Sequence, residues 1–220
     1  MLACGEADDA IKELDRIAEK YKENAEFYAL KAQYYYEIKD FDTALENVLQ
    51  HSKLLPNTPV GFQMTALIYE GKGDEYNAAL SWGRYNLSRG NKDIAINEFL
   101  NAYQLKDDDV NLIQTLANLL ETSGEKHHAM EMYEKLHKLE PTNRTALEKL
   151  ADYRESIGDY RLEAEYLEKL LETDKRNTSL MLRLGSLCEK LRDKESAVKY
   201  LKRYLEVAPQ GVEDRKSTRL

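Results

Sequence analysis

One spacing recurs along this chain, and it narrows the choice of folds more than any other feature. Gly124 is followed five residues later by Ala129, four further on by Tyr133 and eight beyond that by Pro141. Lys39, Ala44, Val48 and Pro56 stand at the same spacing, and so do Arg192, Ala197, Leu201 and Pro209. Upstream of the turn lies a second periodic segment, as at Leu116-Ala117 and Leu184-Gly185. Apolar residues three and four apart make one face of a helix, so each cycle reads as two short helices joined by a turn. Helices of about 13 residues are marginal alone. The units must therefore bury their apolar faces against one another, and Ala44, Ala78, Ala95, Ala129 and Ala197 are small enough to let paired helices approach closely. Such a chain builds a row of stacked units rather than one thick core.

The pattern resembles the tetratricopeptide family, whose unit is a helix-turn-helix of 34 residues. In that family's numbering the units begin at Ala25, Pro59, Tyr76, Val110, Arg144 and Thr178, in steps of 34, 17, 34, 34 and 34 residues. The resemblance implies an all-α fold, a right-handed solenoid of antiparallel helix pairs, over residues 25–213. Residues 1–24 match the second helix of a truncated repeat, with Gly5, Ala10 and Leu14 at the expected spacing.

The 17-residue step is the main anomaly. Glu75 to Ser88 fits both the second helix of the unit at Pro59 and the first helix of the unit at Tyr76. An irregular half-repeat is therefore expected near residues 75–92, either a genuine feature or the scar of a 17-residue deletion, and both registers place Trp82 inward. Two residues depart from the small side chains usual in the family. Glu163 predicts a rotated helix or a displaced neighbour, and the ring of Tyr34 is expected to open its junction or cover the edge of the first repeat.

Charge bears on the partner. The chain carries 32 basic and 40 acidic residues for a net charge of −8, which argues against a nucleic-acid binder, since a phosphate backbone calls for a basic stripe. The last seven residues, Asp214 to Leu220, are the translation of GATCGGAAGAGCACACGTCTG, the start of a widely used sequencing adapter, and are expected to be a non-native tail (214–220). The longest stretch without a charged side chain, Leu54 to Tyr69, is broken by Pro56, Pro59, Gly61 and Gln63 and does not supply the roughly 20 apolar residues of a membrane span. Met1 to Gly5 resembles the end of a bacterial lipoprotein signal, without the basic and apolar segments that precede one, so an anchored Cys4 is one alternative and the compartment stays open.

Side chains that carry chemistry elsewhere have plainer roles in this pattern. His127, His128 and His137 lack the i, i+4 spacing of a helical metal face and occupy outward positions. Cys188 replaces a buried aromatic and is expected to be a small inert hydrophobe. Gly71-Lys72-Gly73 has no strand before it and reads as a turn rather than a phosphate loop. Tyr28, Tyr35, Tyr69, Tyr133 and Tyr204 fall at packing positions, whereas Tyr36 faces the groove. No nucleophile, base and orienting group occur together, so neither catalysis nor a cofactor is expected.

The resemblance also implies where a ligand would lie. In this family the groove is lined chiefly by positions 2, 5, 9 and 12 of each first helix. These are Asn111, Gln114, Asn118 and Glu121 in one unit, Glu148, Asp152 and Glu155 with Thr145 in the next, and Gln33 and Tyr36 in the first. The Lys and Asn pair by which chaperone-binding relatives clamp a terminal carboxylate is missing from positions 5 and 9. The expected function is a protein-interaction scaffold that holds an extended or helical peptide, basic or neutral, on its concave face. The alternatives are a docking arm of a larger enzyme and an exported lipoprotein of envelope or exopolysaccharide assembly.

Overall fold

The computed structural model describes residues 12–14 and 16–208. The expected tail at 214–220, and Gly5 and Ala10 of the truncated repeat, lie outside the described residues. Within them, residues 12–14 and 16–17 are helical and lead into a 3₁₀ turn at Ala18–Tyr21. Eleven α-helices follow: α1 Ala25–Glu37, α2 Phe41–Leu54, α3 Pro59–Lys72, α4 Glu75–Ser88, α5 Lys92–Leu105, α6 Val110–Thr122, α7 Lys126–Leu139, α8 Arg144–Ser156, α9 Tyr160–Thr173, α10 Thr178–Lys190 and α11 Lys194–Val207. Among the described residues there is no strand.

Each helix is 13 or 14 residues long, and nine of the eleven begin at a side chain that caps them. The side chains of Asn24, Asp40, Thr58, Asp74, Asp109, Asn143, Asp159, Asn177 and Asp193 each accept a backbone N–H of the first turn. Such a cap contributes about 1 kcal/mol, which matters for helices too short to persist alone.

The turns alternate in kind. Short turns hold one residue in the left-handed region: Lys39, Gly73, Gly90, Gly124, Gly158 and Arg192, with φ between 61° and 88°. Lys39 and Arg192 thus stand in the conformation that glycine occupies in the other units, at a cost of about 1–2 kcal/mol each. Longer links, such as those ending in Thr58, Asp109, Asn143 and Asn177, separate one helix pair from the next. The alternation breaks at one place, where short left-handed turns stand on both sides of α4.

The chain divides into two compact units, Met1–Gly124 and Glu125–Leu220. In the first, α1 packs along α2 and α5 along α4, while α4 also packs closely along α3. Ala32, Ala44, Val48 and Ile68 form a core joining α1, α2 and α3. Gly83 lets α4 and α5 come together, because a Cβ there would stand 2.5 Å from two atoms of the Phe99 ring. The buried face of α4 is Ala78, Ala79, Ser81 and Gly83. Trp82 is therefore not buried as both registers predicted. With the small residues turned inward, the indole lies half-exposed at the helix edge and donates its N–H to Glu70, 2.7 Å away. Tyr34 is buried, with its ring edge-on to Tyr35 at 5.3 Å.

In the second unit α8 pairs with α9 and α10 with α11, around a core that includes Leu147, Leu167, Met181 and Leu184. The rotated helix expected at Glu163 is not seen. The helix α9 keeps the length and cap of its counterparts, and Glu163 points inward with 1% of its surface exposed. Arg183 of α10 reaches back to it instead. His137 also differs from its outward assignment: it is half-buried, 3.0 Å from Lys169 and edge-on to Tyr166. Cys188 is a buried free thiol, and burial raises its pKa.

Candidate peptide-binding groove

In the first unit, the faces of α1 and α3 turned away from the core enclose an open groove of about 470 Å³. On α1, Glu26, Ala29, Gln33 and Tyr36 line it at spacings of three and four, so all four groove positions of that helix are brought together, with Leu30 and Glu37 beside them. From α3 come Val60, Gln63, Met64 and Leu67. The walls are therefore mostly aliphatic, with the Tyr36 phenol and two amide side chains between them and a carboxylate near each end of α1.

A buried histidine that the sequence pattern did not single out fixes the start of these two helices. His51 of α2 has 4% of its surface exposed. Its Nδ1 is 3.0 Å from the Ala25 carbonyl, which can only accept, so Nδ1 is the donor. Its Nε2 is 2.9 Å from the Thr58 hydroxyl, the same oxygen that caps α3 by accepting from the Gly61 N–H. One imidazole thus joins the first residue of α1 to the N-cap of α3.

A second opening in the first unit, about 680 Å³, lies between α4 and α6. Leu80, Arg84 and Leu87 face it from α4, and Asn111, Leu112 and Thr115 from α6. Here α4 presents the positions that a first helix would present. The Tyr76 hydroxyl donates to Asp109 at 2.6 Å and ties the start of α4 to the cap of α6; burial and that carboxylate raise the phenol's pKa. Of the four α6 residues expected at a groove, Asn111 lines this one. Gln114 and Asn118 lie further along the helix, joined by a 3.3 Å hydrogen bond, and Glu121 stands half-exposed in its last turn.

The second unit has a cleft of about 310 Å³ lined by Glu148 and Asp152 of α8 and by Asn177, Ser179 and Arg183 around the start of α10. Its charge is more balanced than the carboxylates alone suggest. Arg144 donates to Glu148 at 2.7 Å. Arg183 is held by three carboxylates at once: Asp152 at 2.8 Å, Glu155 at 3.1 Å and Glu163 at 2.9 Å. Burial raises the pKa of Glu163 and the arginine partly offsets it. The carboxyl's second oxygen is buried without a hydrogen-bond partner. Arg183 occupies position 6 of its unit, outside the pattern used to read the groove, and its partners lie 20 to 31 residues away.

Family models described as tetratricopeptide repeat match residues 2–51, 110–153 and 178–210, which together are more than half of the chain. The chain belongs to the tetratricopeptide-repeat family. Among solved structures, this tetratricopeptide protein is similar to MamA from AMB-1, with a TM-score of 0.51 and 14% identity over 83% of this chain and 91% of that one. It also matches the C-terminal part of a tetratricopeptide repeat-containing protein from Cytophaga hutchinsonii, with a TM-score of 0.48 and 18% identity over 94% of this chain and 92% of that one. A third match is YrrB, described as a tetratricopeptide protein with an unusual peptide-binding site, with a TM-score of 0.42 and 14% identity over 90% and 93%. No curated protein matches the sequence. At these identities the likeness concerns the fold. Among the described residues no helix is long and apolar enough to cross a membrane, and no group of three or more His, Cys, Asp or Glu side chains is placed to hold a metal ion.

Proposed function

We propose that this protein is a non-catalytic scaffold that holds a polypeptide segment of a partner on the groove faces of its first helices. The observation that carries this reading is that residues at the family's groove positions line an open groove in each unit: Glu26, Ala29, Gln33 and Tyr36 in one, Glu148 and Asp152 in the other. Amide side chains such as Gln33, Asn111, Gln114 and Asn118 can bond a peptide backbone without reading its sequence. Glu121, Glu148, Asp152 and Glu155 favour a basic or neutral ligand over an acidic one, and the net charge of −8 disfavours nucleic acid. Because Arg183 already occupies Asp152 and Glu155, a ligand lysine has to compete with it, so the preference for basic peptides should be moderate and salt-sensitive. We also read α4 as a half-repeat, second helix to α3 and first helix to α5. The paired left-handed turns around it and its packing on both neighbours support that reading.

The test compares lysine-containing and glutamate-containing peptides on the wild type and on a Glu148→Lys, Asp152→Lys variant. The lysine peptides should bind more tightly, weaken with added salt and lose about tenfold in the variant. Affinities that respond to neither salt nor the substitutions would show that α8 does not contact the ligand.

A further inference from the structure

The groove between α1 and α3 differs in chemistry from the cleft of the second unit, and the difference selects a ligand. Leu30 and Val60 stand on its two walls with 55% and 51% of their surfaces exposed, and Met64 and Leu67 continue the aliphatic face of α3. The charged residues that line it are Glu26 and Glu37, one near each end of α1. They are eleven residues apart, roughly 16 Å along a helix axis. Between them Gln33 and Gln63 are the amide side chains in the lining.

An extended peptide laid on aliphatic walls would lose water from most of its backbone N–H and C=O groups and find few partners for them. A helix satisfies those groups internally and needs only an apolar stripe facing the groove. Three turns of helix match the distance between the two carboxylates, and a basic side chain at each end of the stripe would meet them.

We propose that the α1/α3 groove receives an amphipathic helix of a partner protein, about three turns long, with aliphatic residues at i, i+3 or i+4 and i+7 and a lysine or arginine at each end. This rests on the reading of the first-helix faces as a polypeptide-binding surface and specifies what one part of that surface takes.

The test uses the full 220-residue chain and three synthetic probes of about 16 residues. One has a leucine stripe with lysines at both ends, the second carries glutamates in place of the lysines, and the third is the first with two prolines inside the stripe. Binding is followed by amide chemical shifts. The lysine-flanked helix should shift amides of α1 and α3, bind about tenfold more tightly than the glutamate-flanked one, and weaken with salt. A Leu30→Asp, Val60→Asp variant, altered at two side chains already more than half exposed, should keep its helical circular dichroism and lose the probe. A Glu26→Lys, Glu37→Lys variant should prefer the glutamate-flanked helix. Equal affinity for the proline-containing probe would overturn the helical mode, and shifts confined to other helices would overturn the placement. If no probe moves α1 or α3 while peptides selected from a random library still shift α8 and α10, the helix assignment fails and the scaffold reading stands. If library peptides move no first helix at all, both fail.

Discussion

Replacing Arg183 by alanine removes the cation that hydrogen-bonds the buried carboxyl of Glu163. That carboxylate is 1% exposed, and its Oε1 takes both the Nε–H and the Nη2 of the arginine, at 3.0 and 2.9 Å. Breaking a fully buried ion pair by deleting one partner costs about 3–5 kcal/mol, because the other charge is left without compensation. The Arg183 side chain is 31% exposed and its contacts to Asp152 and Glu155 lie at the surface, where pairs contribute little, so a loss of about 2–3 kcal/mol is expected near neutral pH. Burial already raises the Glu163 pKa above its ordinary value and Arg183 pulls it partway down. A folded-state pKa above the unfolded one means that the fold binds more protons in the window between them, so this group's contribution falls as pH rises through that window. Without Arg183 the pKa climbs further, and the protonated, neutral carboxyl relieves the defect. The destabilisation should therefore be smaller at about pH 5 than at about pH 8. Glu163→Ala alone places at this position the small residue usual in the family, and it should change stability by about 1 kcal/mol or less. Combined with Arg183→Ala it should recover most of the loss. Hydrogen exchange of the α9 and α10 amides reads all three variants at both pH values. A pH-independent loss, or a double variant no better than the single one, would refute the reasoning.

Other substitutions test the packing. Gly83→Ala should lose stability in urea, because overpacking against Phe99 costs about 1–3 kcal/mol and exceeds the roughly 1 kcal/mol that alanine adds to a helix; Phe99→Leu in the same chain should return part of it. A stabilised Gly83→Ala variant would mean that α4 and α5 are not in close contact. Arg192→Gly should raise stability by about 0.5–1 kcal/mol, since it relieves a left-handed residue at φ 61° while adding freedom to the unfolded chain; thermal unfolding reads the sign. In a Cys4→Ser background, Cys188 should react with an aromatic disulfide reagent only as fast as the fold opens, because burial both shields the thiol and raises its pKa.

Local features were legible because they depend on neighbours in sequence. Lys39 and Arg192 share the register of Gly124, and the structure places all three at left-handed turns. Gln33 and Tyr36, the positions that the family resemblance assigned to a groove on α1, lie in the lining of its opening. What escaped depends on side chains brought together by stacking. Glu163 looked like a packing fault because the residue that accommodates it lies 20 positions downstream. His51 bridges Ala25 and Thr58 across two helix boundaries, and no local spacing announces it. Trp82 was read inward from register, but the glycine beside it allows a closer helix contact that leaves the indole at the edge. The aliphatic character of the first groove comes partly from Leu30 and Met64, at position 6 of their units and so outside the positions used to read it.

The central claim, that the first helices present the binding surface, is tested most directly by locating a bound peptide. Peptides selected from a random library on the intact protein should protect or shift backbone amides of α1, α3, α6, α8 or α10 and leave those of α2, α5, α7, α9 and α11 unchanged. Perturbations concentrated on the second helices, or a library that yields no binder at all, would contradict it.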